Sequence, residues 1–191
     1  MILHLLRDAT RHEHAQLETR IDLLGRSWSV PFYRLLLQKF YGFYSVIEPA
    51  IFERVEWQKM SFDVESRRKT EWLRCDLTHL GLDANQIRAL PHPKNAPPLL
   101  NFPQVLGCAY VLEGATLGGQ IITRHLSREI GVTPERGGAF FVSYGALVGP
   151  MWRDFVALLD TFPLGEDEQS ALLESARATF TALEAWLDDI L

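Results

Sequence analysis

Apolar residues recur at helical spacing along almost the whole of this 191-residue chain, and the two-residue alternation of a half-buried strand is nearly absent. This pattern predicts an all-α protein. The chain shows no internal repeat, low-complexity tract or linker, so we expect a single domain over residues 1–191. The predicted helices cover residues 2–24, 31–55, 65–80, 83–90, 103–130, 139–161 and 166–190.

Composition excludes several classes of protein. Hydrophobic residues make up 47% of the chain, which supports a folded core and excludes disorder. The net charge of −5 argues against general nucleic-acid binding, which needs a basic face. Two cysteines, Cys75 and Cys108, indicate reduced thiols and a cytoplasmic protein. No signal peptide is evident, and prolines or glycines interrupt the longest uncharged stretches, 95–112 and 137–152, so we expect a soluble protein without a membrane span.

The first predicted helix places a histidine at the edge of its apolar stripe. His14 lies there, with Arg7, Arg11 and Glu18 next around the cylinder, whereas His12 lies nearly opposite and is expected at the surface. An imidazole half in the core beside two guanidinium groups suits a flat apolar ligand with an anionic rim. A core histidine beside a solvated charged face is the alternative, and this helix alone leaves it open. The stripe consists of Leu3, Leu6, Thr10, Leu17, Ile21 and Leu24.

The predicted helix over 103–130 contains glycines at positions where a helix is weakened by them. Gly107, Gly114 and Gly118 share a face by their spacing, and Gly119 adds a fourth glycine. Each costs about 0.5–1 kcal/mol of helical stability relative to alanine. Either a close contact between helices or a planar ligand lying against the backbone explains the missing side chains. The sequence does not decide between the two.

Motifs for several other chemistries are missing from the sequence. The chain has no Glu-x-x-His pair for a di-iron centre, no Cys-x-x-Cys and no Gly-x-Ser-x-Gly. Both cysteines are therefore interpreted as small hydrophobic residues. Two aromatic groups are interpreted mainly as core, with some members able to line a ligand pocket. They are Phe32, Tyr33, Phe40, Tyr41, Phe43 and Tyr44, and Phe140, Phe141, Tyr144 and Trp152.

Four segments, taken in order, resemble the haem oxygenase family. LRDATRHEHAQLE, residues 6–18, matches the Thr-x-x-x-His-x-x-x-Glu pattern of the family's proximal helix. FYRLLLQKFYGFYSVIE, residues 32–48, resembles its aromatic second helix, and EGATLGGQ, residues 113–120, is similar to its distal helix. ESARATF, residues 174–180, is a weaker match. The length and the absence of a hydrophobic tail resemble the soluble bacterial members.

The resemblance implies a helical bundle that holds haem between the first, proximal helix and a glycine-rich distal helix. Haem b would be both substrate and cofactor, with its iron ligated by His14. Gly114 and Gly118 would let the distal helix approach the haem face and are the implied catalytic positions. The implied reaction uses O₂ and electrons from a reductase or ferredoxin, and it yields biliverdin, carbon monoxide and ferrous iron. Iron release or chromophore supply to a bilin-accepting phytochrome would be its purpose.

The resemblance also implies further haem contacts and one departure. Arg7 and Arg11 are the first candidates for the haem propionates, with Arg153 and Arg177 as additional ones. Ala115 stands where many family members carry an aspartate that holds a proton-delivering water network. A non-enzymatic haem carrier or sensor, or a thiaminase-like enzyme on a similar fold, are the alternatives. The implied cofactor-binding set is Arg7, Thr10, Arg11, His14, Glu18, Gly114, Gly118, Arg153, Arg177 and Phe180.

Overall fold

The computed structural model describes residues 2–60 and 62–191. Within these ranges the fold consists of helices joined by turns and short 3₁₀ segments, and no strand is present, which confirms the all-α prediction. Residues 1 and 61 belong to the predicted domain but lie outside the described ranges. The α-helices are α1 (Ile2–Ile21), α2 (Val30–Phe52), α3 (Thr70–His79), α4 (Ala84–Arg88), α5 (Phe102–Gly114), α6 (Gly119–Ile130), α7 (Ala139–Val142), α8 (Val148–Thr161) and α9 (Glu166–Leu187).

Helix α5 lies at the centre of the fold. It packs along α9, and α1 also packs against α9. Helix α2 packs on α3. Except for Gln104, all residues from Phe102 to Glu113 are buried. Phe102–Ile130 is long and apolar enough to cross a membrane, by length and composition only. Its most apolar part is 61% buried within the protein, as in the core helix of a soluble fold.

Several predicted helices begin or end elsewhere than expected, with α2 ending at Phe52 instead of residue 55 and α4 at Arg88 instead of residue 90. Two further differences have a clear local cause. The first ends at Ile21 instead of residue 24, because Asp22 adopts a left-handed backbone with φ of 46° and its carboxylate accepts a hydrogen bond from the Gly25 N–H. The predicted helix over 65–80 begins only at Thr70. The Glu48 carboxylate accepts the Thr70 N–H and so caps the start of α3.

Two long predicted helices are interrupted. The segment over 139–161 divides into α7 and α8, because Ser143 and Gly145 have φ of 52° and 57°, values incompatible with a continuous right-handed helix. The segment over 103–130 divides into α5 and α6 at a 3₁₀ turn over Ala115–Gly118. This second interruption shapes the site described below.

The two cysteines differ in their surroundings. Cys108 on α5 is fully buried, and burial raises the pKa of its thiol to about 12. Cys75 on α3 is only half-buried. Cys108 therefore behaves as the small hydrophobic residue that the sequence indicates.

Candidate functional site

A cavity of about 960 Å³ opens between α1 and the α5–α6 turn. Helices α2, α7, α8 and α9 complete its walls, and most of the lining side chains are apolar. Three of these apolar side chains, Leu24, Leu117 and Ile121, are about half exposed at 46–56%. The cavity lies within the size range of small-molecule and cofactor sites.

His14 projects into this cavity from α1. Its side chain is 54% exposed, and its ring lies edge-on to Phe180 with a centroid separation of 5.4 Å. Glu18 follows one turn later, but its Oε1 lies 3.6 Å from His14 Nε2, which is beyond hydrogen-bond distance. Within residues 2–60 and 62–191, no hydrogen bond occupies the His14 ring, so its nitrogens are available to a ligand.

The same face of α1 supplies positive charge. Arg7 and Arg11 both line the cavity and are exposed, and Arg11 is paired with Asp8. Thr10 between them is buried, and its hydroxyl donates a 2.8 Å hydrogen bond to the Leu6 carbonyl. The cations therefore stand at the accessible side of the cavity, where an anionic group of a ligand would remain in contact with water.

The glycines of the opposite wall fall into two kinds. A Cβ on Gly107 would lie 2.1 Å from the Leu172 carbonyl oxygen of α9, and one on Gly119 would lie 1.9 Å from the Phe141 carbonyl oxygen. These two positions are close backbone contacts. Gly114 and Gly118 instead line the cavity, and a Cβ there would meet no atom within 3.5 Å. The close-contact explanation therefore applies to Gly107 and Gly119, whereas Gly114 and Gly118 leave open space on the cavity side.

Aromatic side chains form the inner walls. Phe40 and Tyr44 of α2 and Phe140 and Phe141 of α7 line the cavity. Asp76 of α3 fixes α7, because its carboxylate accepts the Ala139 and Phe140 N–H groups at 2.9 and 2.8 Å. Burial raises the pKa of Asp76, and these two N–H groups oppose that effect.

The structure brings most of the sequence-predicted site residues to this one cavity. Arg153 and Arg177 are exceptions, because neither lines it. Arg177 is held elsewhere, since its Nε donates a 2.8 Å hydrogen bond to Glu13 Oε1 between α9 and α1. The residues that do line the cavity are Arg7, Thr10, Arg11, His14, Glu18, Gly114, Gly118 and Phe180.

Sequence reasoning missed a charged residue of the wall. Lys69 lines the cavity although its side chain is only 3% exposed, and its ammonium group contacts Glu113 of α5. Glu113 is the one charged residue within the otherwise uncharged α5. A carboxylate in a buried helix needs a cationic partner, and that requirement was the available signal.

Comparison with known proteins identifies the fold and the family. The structure superposes on the NO- and CO-bound heme oxygenase of Neisseria meningitidis with a TM-score of 0.84 at 19% identity, covering 100% of this chain and 92% of that one. Heme oxygenase of Leptospira interrogans gives 0.74 at 18% identity over 98% of each chain. Heme oxygenase-1 of the cyanobacterium Synechocystis, in complex with heme, gives 0.79 at 16% identity over 98% of this chain and 91% of that one.

Sequence comparison supplies the family itself. No curated protein sequence matches the chain. The family model described as Heme oxygenase matches residues 1–189, nearly the entire length. The chain belongs to the heme oxygenase family of haem-degrading enzymes.

Proposed function

We propose that the chain binds haem b as substrate and cofactor in the 960 Å³ cavity and cleaves it to biliverdin, carbon monoxide and ferrous iron. The reaction uses O₂, and its electrons come from a separate reductase or ferredoxin. One domain over residues 1–191 carries this activity. The observation that supports the proposal is that His14 and the glycines Gly114 and Gly118 line the same cavity from different helices.

The residues present fit a haem. The half-exposed apolar side chains at the cavity edge, Leu24, Leu117 and Ile121, would be covered by a flat apolar ligand. The two open glycine positions allow such a ligand to lie against the backbone of the α5–α6 turn. Bound haem would supply iron for O₂ binding and activation.

Each side chain then has a defined task. His14 would ligate the haem iron, and the edge-on Phe180 ring restricts the orientation of its imidazole. Arg7 and Arg11 bind the propionates at the accessible side of the cavity, with guanidinium groups suited to carboxylates. The aromatic inner wall of Phe140 and Phe141 excludes water from the closed side.

Hemin binding and turnover of the His14→Ala variant test the proposal. Wild-type protein should bind hemin one to one and, with a reductant and O₂, produce the absorption band of biliverdin. His14→Ala should shift the Soret band and lower turnover by more than the roughly 10- to 100-fold that loss of an outer-shell partner costs. Added imidazole should restore part of the spectrum.

His12→Ala is the matched control. His12 is exposed on α1 and does not line the cavity, so its loss should leave hemin binding and turnover unchanged. Intact haem after repeated reduction of the wild-type complex would contradict the enzymatic proposal. A wild-type Soret band in His14→Ala would contradict the ligand assignment.

A further inference from the structure

A buried cation stands in the cavity wall away from α1. Most ionised side chains that line the cavity belong to α1 or to the turn after it, namely Arg7, Arg11, Glu18 and Asp22. Among the described lining residues, Lys69 is the one ionised side chain from another part of the chain. It immediately precedes α3, and only 3% of its side chain is exposed.

The side chains of the α5–α6 turn provide no acid of their own. Gly114, Ala115, Leu117 and Gly118 lack a proton that can dissociate, and the Thr116 hydroxyl donates to the Glu113 carbonyl at 2.7 Å. Protons that a reaction in this cavity consumes would therefore have to come from outside the side chains of the turn. Lys69 has the position and the proton to serve.

Three acceptors hold the Lys69 ammonium group. Nζ donates to Glu113 Oε1 at 2.6 Å, to the Tyr144 hydroxyl at 3.0 Å and to the Arg67 carbonyl at 3.0 Å. The Tyr144 hydroxyl in turn donates to Glu113 Oε1 at 2.7 Å. Glu113 also pairs with the Arg67 guanidinium group, so its carboxylate is held between two cations.

Tyr144 connects this cluster with the surface. It is half-buried, whereas Lys69, Glu113 and Arg67 are each at most 4% exposed. Its ring lies edge-on to Trp72, which is also half-buried. A hydrogen-bonded series therefore runs from a partly exposed phenol through a buried carboxylate and ammonium group to the cavity wall.

We propose that Lys69 is a proton donor to the haem cavity and that Tyr144 resupplies it from solvent. In the donating step, Lys69 Nζ gives up its 3.0 Å hydrogen bond to the Arg67 carbonyl and donates to an acceptor in the cavity instead. It then releases one proton to that acceptor and becomes a neutral amine. The Tyr144 hydroxyl then turns from Glu113 to the amine, gives it a proton and takes one from water. One proton moves from solvent to the acceptor, and Glu113 neither gains nor loses one. This proposal rests on the proposed function.

The fluoride affinity of the ferric hemin complex tests whether Lys69 donates a hydrogen bond into the cavity, and it requires no turnover. Fluoride is a small anion that accepts hydrogen bonds, so a donor in the cavity strengthens its binding. Lys69→Met should weaken fluoride binding roughly 10- to 100-fold, the equivalent of a lost charged hydrogen bond. Lys69→Arg, which keeps the charge and donor groups, should restore most of it. Arg68→Met is the control, because Arg68 is paired with Glu65 and does not line the cavity.

The rate of biliverdin formation tests whether Tyr144 resupplies protons to Lys69. Lys69→Met should form biliverdin about 100-fold more slowly, since general acids contribute factors of this order, with electrons diverted to hydrogen peroxide. Tyr144→Phe should keep wild-type fluoride affinity but slow turnover and change its solvent deuterium isotope effect. If Lys69→Met fails to fold because Glu113 loses a partner, Lys69→Met/Glu113→Gln removes both charges together.

The outcomes separate this proposal from the proposed function. Wild-type fluoride affinity in a folded Lys69→Met variant overturns the donor, whatever the turnover. Normal turnover and peroxide yield in that variant overturn the relay. A wild-type complex that binds hemin without yielding biliverdin overturns the proposed function, and fluoride binding still decides whether Lys69 donates into the cavity. Absence of hemin binding overturns both.

Discussion

Helices α1 and α5 form two walls of one cavity, and both pack on α9 by different means. Helix α5 meets α9 backbone to backbone, since a Cβ on Gly107 would lie 2.1 Å from the Leu172 carbonyl oxygen. Helix α1 adds ion pairs between side chains to its apolar contact with α9. Arg177 Nε lies 2.8 Å from Glu13 Oε1, and Arg20 lies 3.0 Å from Glu184.

The difference determines how precisely each wall is placed. The α5–α6 wall is fixed by glycine contacts on both sides of its turn, Gly107 against α9 and Gly119 against α7. Backbone atoms in contact cannot yield, so the open positions between them, Gly114 and Gly118, stay at a defined distance from the cavity. Long side chains of α1 can rearrange at little cost. The α5–α6 wall, which backbone contacts hold in place, is therefore the more rigid one.

Alanine at the contact glycines should have the largest effect. In Gly119→Ala the new methyl group would overlap the Phe141 carbonyl oxygen, and Gly107→Ala would overlap that of Leu172. We expect each to lower the free energy of unfolding by about 3 kcal/mol or more, at the upper end of overpacking costs. Urea unfolding followed by circular dichroism measures it. Gly118→Ala is the control, because a methyl group there has open space. A wild-type urea midpoint for Gly119→Ala would show that backbone contact does not fix this wall.

Alanine at Gly114 or Gly118, where the space is open, should affect hemin binding more than stability. Gly114→Ala and Gly118→Ala should leave stability within about 1 kcal/mol of wild type, because the methyl group meets no atom within 3.5 Å. Each should nevertheless weaken hemin binding about tenfold, since the methyl group occupies space that the ligand needs. Hemin titration of the Soret band measures this. Gly149→Ala on α8, outside the cavity, should bind hemin normally; equal affinities in all three variants would show that the open space serves no ligand.

The sequence predicted what depends on local spacing. The stripe on α1 and the place of His14 at its edge follow from residues within a few turns of each other. The structure buries Leu6, Thr10, Leu17 and Ile21 of that stripe and places His14 in the cavity lining, whereas Leu24 lies beyond the end of α1 and is 52% exposed. The presence of glycines in the α5–α6 segment was equally visible. Which glycine meets a backbone and which meets a cavity was not, because Gly107 and Gly114 share a face and differ only in what packs against it farther along the chain.

Long-range electrostatics escaped the sequence for a similar reason. Lys69 and Glu113 are 44 positions apart, and no spacing rule connects them. Arg177 shows the converse case. Its place in a matching segment suggested a haem contact, yet Glu13 of α1, at a separation of 164 positions, holds it outside the cavity wall. Pairing of charges is decided by tertiary structure, which local pattern does not contain.

The ion pair between Glu13 of α1 and Arg177 of α9 should contribute least to stability, and its contribution should depend on pH. Burial raises the pKa of Glu13, but the hydrogen bond and charge of Arg177 outweigh it, so the pKa is lowered overall. A lowered pKa stabilises the fold above the unfolded value of about 4.3 and loses that effect as pH falls through the lower folded value. Glu13→Gln should therefore cost at most about 1 kcal/mol at neutral pH, and this deficit should shrink in acid. Urea unfolding at both pH values measures it, with Glu174→Gln, an α9 carboxylate outside these pairs, as control. A cost equal to that of Gly107→Ala, or one unchanged in acid, would mean that α1 is held as rigidly as α5.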